Sequence, residues 1–215
     1  SDLSVTGWQM MALRSGQLAG LRVDPRTYER VEKFVDACRD PGGDRALFRY
    51  NPYITLRDPR SQQHGRNPGT VMTSVGMLMQ LYLGETRESQ RMQIGADHLV
   101  KNIPTHGDSE ASLAPSSTPN NPLRDTYYWY YATQVMFHMG GDYWKQWHEH
   151  LHPLLVDNQT QQGTLAGSWH PSRPVRDRWG SQGGRIYVTC LNLLSLEVSY
   201  RHLPLYEMTA PKDDE

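Results

Sequence analysis

The chain has 215 residues, with 22 Lys and Arg against 23 Asp and Glu and a formal net charge of −1. A hydrophobic share of 37% supports a sizeable globular core. The near-neutral balance excludes a general nucleic-acid binder, which needs a basic field. No apolar run reaches the ~20 residues of a membrane-spanning helix.

The first predicted helix covers residues 4–18. Val5, Trp8, Met10, Met11, Ala12 and Leu13 leave it almost no polar face, which predicts burial on both sides. Gly20 supplies a stop, and Asp24-Pro25 reads as an N-cap followed by proline at the first helical position. The next helix carries Tyr28, Val31, Phe34, Val35 and Cys38 as one apolar stripe, with Arg and Glu opposite, so one face is expected to be wet. The pattern then recurs. Residues 70–83 form a second apolar helix ended by Gly84, with an amphipathic partner over 88–103. Residues 125–139 form a third, ended by Gly140-Gly141, with a partner over 143–156. Residues 184–200 form a fourth. Long loops over 40–69, 105–122 and 158–183 separate the hairpins, with strand-like pieces at 47–50 and 167–169. No parallel-sheet pattern is present, so the fold class is all-α. Residues 210–215 read as a disordered tail.

Aligned, the four apolar helices place Gln9, Gly76, Gln134 and Asn192 in register. A repeat of this length with two helices per unit means stacked α-hairpins. Gln162 with Gly167-Ser168-Trp169 is similar to the Gln-Trp motif of the terpenoid cyclase and protein prenyltransferase repeat. Asp40-Pro41-Gly42-Gly43 with Phe48 and Tyr50 resembles a degenerate copy. The resemblance covers residues 1–209 as one domain and is closest to the squalene-cyclase-like repeat proteins of bacteria. It implies an α/α toroid, here a partial ring or arc of about three and a half α-hairpins. The chain lacks an initiator Met, and its first helix begins within a few residues of Ser1. It therefore reads as the C-terminal half of a longer protein, the missing hairpins coming from an N-terminal half or from a second copy.

The same resemblance bears on chemistry. Class II terpenoid cyclases protonate an alkene with an Asp-x-Asp-Asp-Thr motif whose central Asp is the acid. The corresponding segment here is Asp2-Leu3-Ser4-Val5-Thr6, with Ser4 where the acid belongs. A serine hydroxyl does not protonate an alkene at neutral pH, so cyclisation by that route is not expected. The prenyltransferase branch needs Asp, Cys and His zinc ligands. Cys38 and Cys190 fall in helices without an Asp-x-Cys arrangement or a late His partner and read as buried thiols. His148 and His152 share a helix face but lack a nearby third ligand, so they read as a solvated surface. Neither a metal nor a cofactor is expected.

Three readings of function follow. The leading one is binding of a small-molecule or polymer ligand, or of a partner, through an aromatic concave face. Trp8, Tyr127, Tyr128, Trp129, Tyr130, Trp169 and Trp179 would supply the aromatic contacts. Gln9, Gln134, Arg178 and Arg185 would be polar anchors, together with Asp2 and Asp125. Gly183-Gly184 would let the backbone approach a ligand near Arg178 and Arg185. The second reading is an enzyme acting on a polyisoprenoid or polysaccharide, with Asp2 and Asp125 as its acid–base pair. The third is a structural scaffold in which the Tyr cluster is core, Asp125 is a plain N-cap, and Gln9, Gln134 and Asn192 bond between helices.

Overall fold

The structure, a computed structural model, describes residues 2–42, 45–55, 59, 65–104, 125–173 and 176–201. Among these, the regular elements are the helices α1 Leu3–Leu18, α2 Pro25–Ala37, α3 Thr70–Tyr82, α4 Gln90–Val100, α5 Thr126–Met139, α6 Gly141–Asp157, α7 Gly180–Leu196 and α8 Val198–Arg201. A 3₁₀ turn spans Gly163–Leu165. The fold is all-α, as the helical periodicity indicates. No described helix is long and apolar enough to cross a membrane. The predicted loop at 105–122 and the tail at 210–215 lie entirely outside the described residues. The chain divides into two compact units, Ser1–Leu99 and Val100–Glu215.

In the first unit, Asp2 caps α1 by accepting from the Val5 amide at 2.8 Å. Asp24 caps α2, with Pro25 at its first position. The α2 stripe turns Val35 and Cys38 into the core. Residues Thr73 to Leu81 of α3 are buried without a break, because α1 and α2 pack on this helix and α4 meets it where Gly95 faces Met77. The expectation that α1 is buried on both sides is corrected. Only its Leu3, Gly7 and Met10 are buried, while Val5, Trp8, Gln9 and Ala12 are exposed. Its packed neighbours α2 and α3 reach one side alone.

In the second unit, α5 is the central helix and contacts α6, α7 and α8. Tyr128, Tyr131, Val135 and Met136 are fully buried in it. The amphipathic α6 adds Trp147, Leu151 and Leu155, and the Trp147 indole donates to Thr133 Oγ1 at 3.0 Å. Within α7 the chain breaks stride at Gly184, whose φ of 63° belongs to the left-handed region that glycine enters without strain. One short turn thus precedes the helix proper, close to the predicted start. Cys190 on α7 is exposed, which corrects the reading of two buried thiols.

The two strand-like pieces occur as isolated antiparallel bridges, Arg39 with Phe48 and Gln159 with Trp169. They are copies of one device. Each follows an amphipathic helix, α2 or α6, each places a buried aromatic, and each aromatic's amide donates to a threonine at the same register position. Phe48 N bonds Thr73 Oγ1 and Trp169 N bonds Thr189 Oγ1, both at 3.2 Å.

Candidate functional site

The N-terminal ends of α5 and α7 bring together the densest chemistry among the described residues. Asp125 is the N-cap of α5 and accepts from the Tyr127 and Tyr128 amides at 3.1 and 3.2 Å. Its side chain is 1% exposed. Asp177 bridges the two helices. One oxygen accepts from the Thr126 amide at 2.9 Å and the other from the Trp179 amide at 2.8 Å. Two carboxylates therefore satisfy backbone donors at one end of the helix pair.

Their titration reflects that crowding. Burial, reinforced by the charge of Asp177, pushes Asp125 up to about 6, against the pull of its backbone bonds and of Arg178. Burial also raises Asp177, opposed by the amides it caps. Tyr187 of α7 faces the same place: burial and then the charges of Asp125 and Asp177 hold its phenol protonated. Arg178 reaches Asp125 at 3.9 Å, a loose pair, and its guanidinium carbon lies 5.0 Å over the Trp179 ring. Trp179 is 42% exposed, and Arg178 and Tyr127 are half-buried. The cluster is thus a buried acid pair beside an accessible Arg–Trp surface.

The other predicted residues fall elsewhere. Tyr128, Tyr130, Gln134 and Trp169 are buried in the core of the second unit. The Tyr128 hydroxyl donates to the Asn102 carbonyl, Gln134 to the Tyr130 carbonyl and the Trp169 indole to the Leu155 carbonyl. Trp129 is half-buried. Among the described residues, Arg185 bonds the Ser168 and Thr160 hydroxyls at 2.9 and 3.4 Å rather than an acid. The space in front of Gly183 is taken by the Tyr187 side chain. Trp8 and Gln9 lie on the exposed side of α1, so Gln9 is no part of a buried amide set. Asn192 is buried, and its Oδ1 has no hydrogen-bond partner among the described residues. Asp2 belongs to the first unit, where the Tyr50 phenol bonds it; burial together with that bond pushes Tyr50 up to about 12.

No group of metal-ligating side chains forms among the described residues. The His148 and His152 rings stack 4.9 Å apart beside a slot of about 10 Å³, room for about one water. Asp177 and Tyr187 are the members of the cluster that the sequence reading left out of its site. The available signal for Asp177 is its place just ahead of a Gly-rich helix start, where a carboxylate serves as a cap.

Compared with known proteins, the chain matches no family model, no curated protein and no solved structure.

Proposed function

We propose that this chain is a non-cyclising repeat domain of squalene-cyclase-like type, an arc of an α/α toroid, that binds a ligand at the N-terminal ends of α5 and α7. The toroid reading draws support from the duplicated bridge device, Phe48 on Thr73 and Trp169 on Thr189. The binding reading rests on one observation: Arg178 stacked on an accessible Trp179 next to the buried Asp125. A Trp face and a guanidinium suit a sugar ring or a prenyl chain bearing a polar end. Tyr127 extends that surface, whereas Tyr128, Tyr130 and Trp169 act as the packing beneath it. The test is titration of the whole chain with xylan and cellulose oligomers and with prenyl alcohols, followed by tryptophan fluorescence. Saturable quenching that disappears in Trp179→Ala and weakens in Arg178→Ala is expected. Quenching that survives Trp179→Ala sinks the assignment.

A second reading is favoured by the raised pKa of the buried Asp125 beside Asp177. A carboxylic acid that keeps its proton to about pH 6 beside a second carboxylate has the properties of a general acid. In that case Asp177, which caps the same helix end, is its working neighbour. Turnover of any oligosaccharide or prenyl substrate should then vanish in Asp125→Asn while the melting profile is retained. Unchanged turnover, or simple unfolding, returns Asp125 to the role of cap.

A further inference from the structure

The two copies of the bridge device differ in what surrounds them. In the first, the Asp40 amide donates to the Leu47 carbonyl at 2.8 Å and the Phe48 amide to Thr73 Oγ1. In the second, the Thr160 amide donates to the Ser168 carbonyl at 2.8 Å and the Trp169 amide to Thr189 Oγ1. Four residues ahead of each threonine stands Gly69 in the first copy and Arg185 in the second. The first copy thus forms with an apolar Leu47 and no side chain at 69. The second carries a polar set that the bridge itself does not require. Arg185 Nη1 donates to Ser168 Oγ at 2.9 Å and to Thr160 Oγ1 at 3.4 Å.

Those two bonds orient the guanidinium and leave its Nε and Nη2 without a partner among the described residues. That free edge is the one that takes two oxygens of a single anion side by side. His170, directly after Trp169, adds another donor. The Ser172 amide donates to His170 Nδ1 at 3.0 Å, so the proton of the neutral ring sits on Nε2. A turn closed by the Arg173 amide on the His170 carbonyl at 3.4 Å brings in a second guanidinium. Desolvation, then the charges of Arg185 and Arg173, hold His170 below the ordinary histidine range. Arg185 and His170 are half-buried and Arg173 is exposed. Neither arginine forms an ion pair among the described residues. Two positive charges therefore flank one neutral N–H donor without a carboxylate to balance them.

We propose that Arg185, Arg173 and His170 form an oxyanion site that takes a phosphate group. The two negative charges of a phosphate monoester match the two guanidiniums, and its several oxygens can be shared among three separate side chains. A carboxylate, with one charge and two oxygens, would be used up by the Arg185 edge alone. None of these residues belongs to the Arg178–Trp179 surface, so either site can be lost without the other.

The test is calorimetric titration of the whole chain with inorganic phosphate, with glycerol phosphate and with phosphatidylcholine vesicles containing phosphatidic acid. The three arms separate a free ion, an ester and a lipid headgroup as the source, and sodium chloride at matched ionic strength controls for screening. Saturable binding in at least one arm is expected, with a shift of the His170 ring signals in nitrogen-detected magnetic resonance. Arg185→Gln and Arg173→Gln should each weaken it about tenfold or more. Arg30→Gln, which removes the same charge from an exposed position on α2, should leave it unchanged. If Arg185→Gln loses helical signal in circular dichroism, Arg173→Gln decides, because that exposed side chain makes no other bond among the described residues. Absence of binding in all three arms overturns the proposal. So does binding that Arg173→Gln leaves as tight as Arg30→Gln does.

Discussion

The two units solve one packing problem with different residues at one position. Phe48 and Trp169 hang from the same bridge and bond equivalent threonines. In the first unit the register position in α3 is Gly76, and a Cβ there would run into the Phe48 ring. In the second unit the position holds Asn192, buried, with an oxygen that has no hydrogen-bond partner among the described residues. The helix starts differ as well. Asp2 is half-buried and meets a phenol, whereas Asp125 is buried and meets a second carboxylate. The shared bridge is the architectural part of the repeat. The divergence is concentrated at the N-terminal end of α5, which is where a function is most readily sought.

The strongest way to break the parallel is to remove each bridge aromatic. Phe48→Ala and Trp169→Ala should each cost about 3–5 kcal/mol in chemical denaturation. Hydrogen exchange should then rise in α2 and α3 for the first variant and in α6 and α7 for the second. Exchange that rises equally everywhere in both would mean that the units are one cooperative block.

Gly76→Ala comes next. The displaced Phe48 ring should make it about 1–3 kcal/mol less stable, although alanine is the better helix former. A stabilised variant would remove the close approach from the account.

The caps sharpen the comparison through pH. Asp125→Ala should cost about 1–2 kcal/mol at low pH, where only the cap bonds are lost. In the native protein, the Asp125 carboxyl binds its proton more tightly folded than unfolded. Its contribution is therefore fully present below the unfolded value of about 4 and is lost as pH rises through about 6. Relative to Asp125→Asn, the wild-type chain should lose stability over that window as pH increases. A constant difference between the two, measured by thermal melts across the range, would contradict the crowded acid pair.

Asn192→Ala is the smallest effect. Removing a buried oxygen that has no partner among the described residues offsets the lost contacts, so the change should stay within about 1 kcal/mol of neutral. A large loss would reveal a partner for that amide.

Much of this was legible in the sequence because it is local. The α2 stripe, the Asp24-Pro25 start, the stops at Gly20 and Gly84 and the Asp125 cap follow from residues within a few positions of one another. So did the bridge pieces, since a Trp or Phe between a helix stop and the next helix has few places to go. The Tyr run was ambiguous for a physical reason. It covers every face of α5, and the sequence does not say which faces have neighbours. Burial took Tyr128, Tyr130 and Tyr131 and left Tyr127 and Trp129 half-open.

The sequence by itself determined an all-α chain and its main helices to within a few residues at their ends, because periodicity and capping act over one or two turns. Only the tertiary structure decided that Asp177 shares the N-terminal end of α5 with Asp125, that Arg185 bonds hydroxyls, and that α1 and α7 keep an exposed apolar side. Those outcomes depend on which surfaces meet across long stretches of chain, and an apolar helix face carries no mark of whether a neighbour is there to cover it.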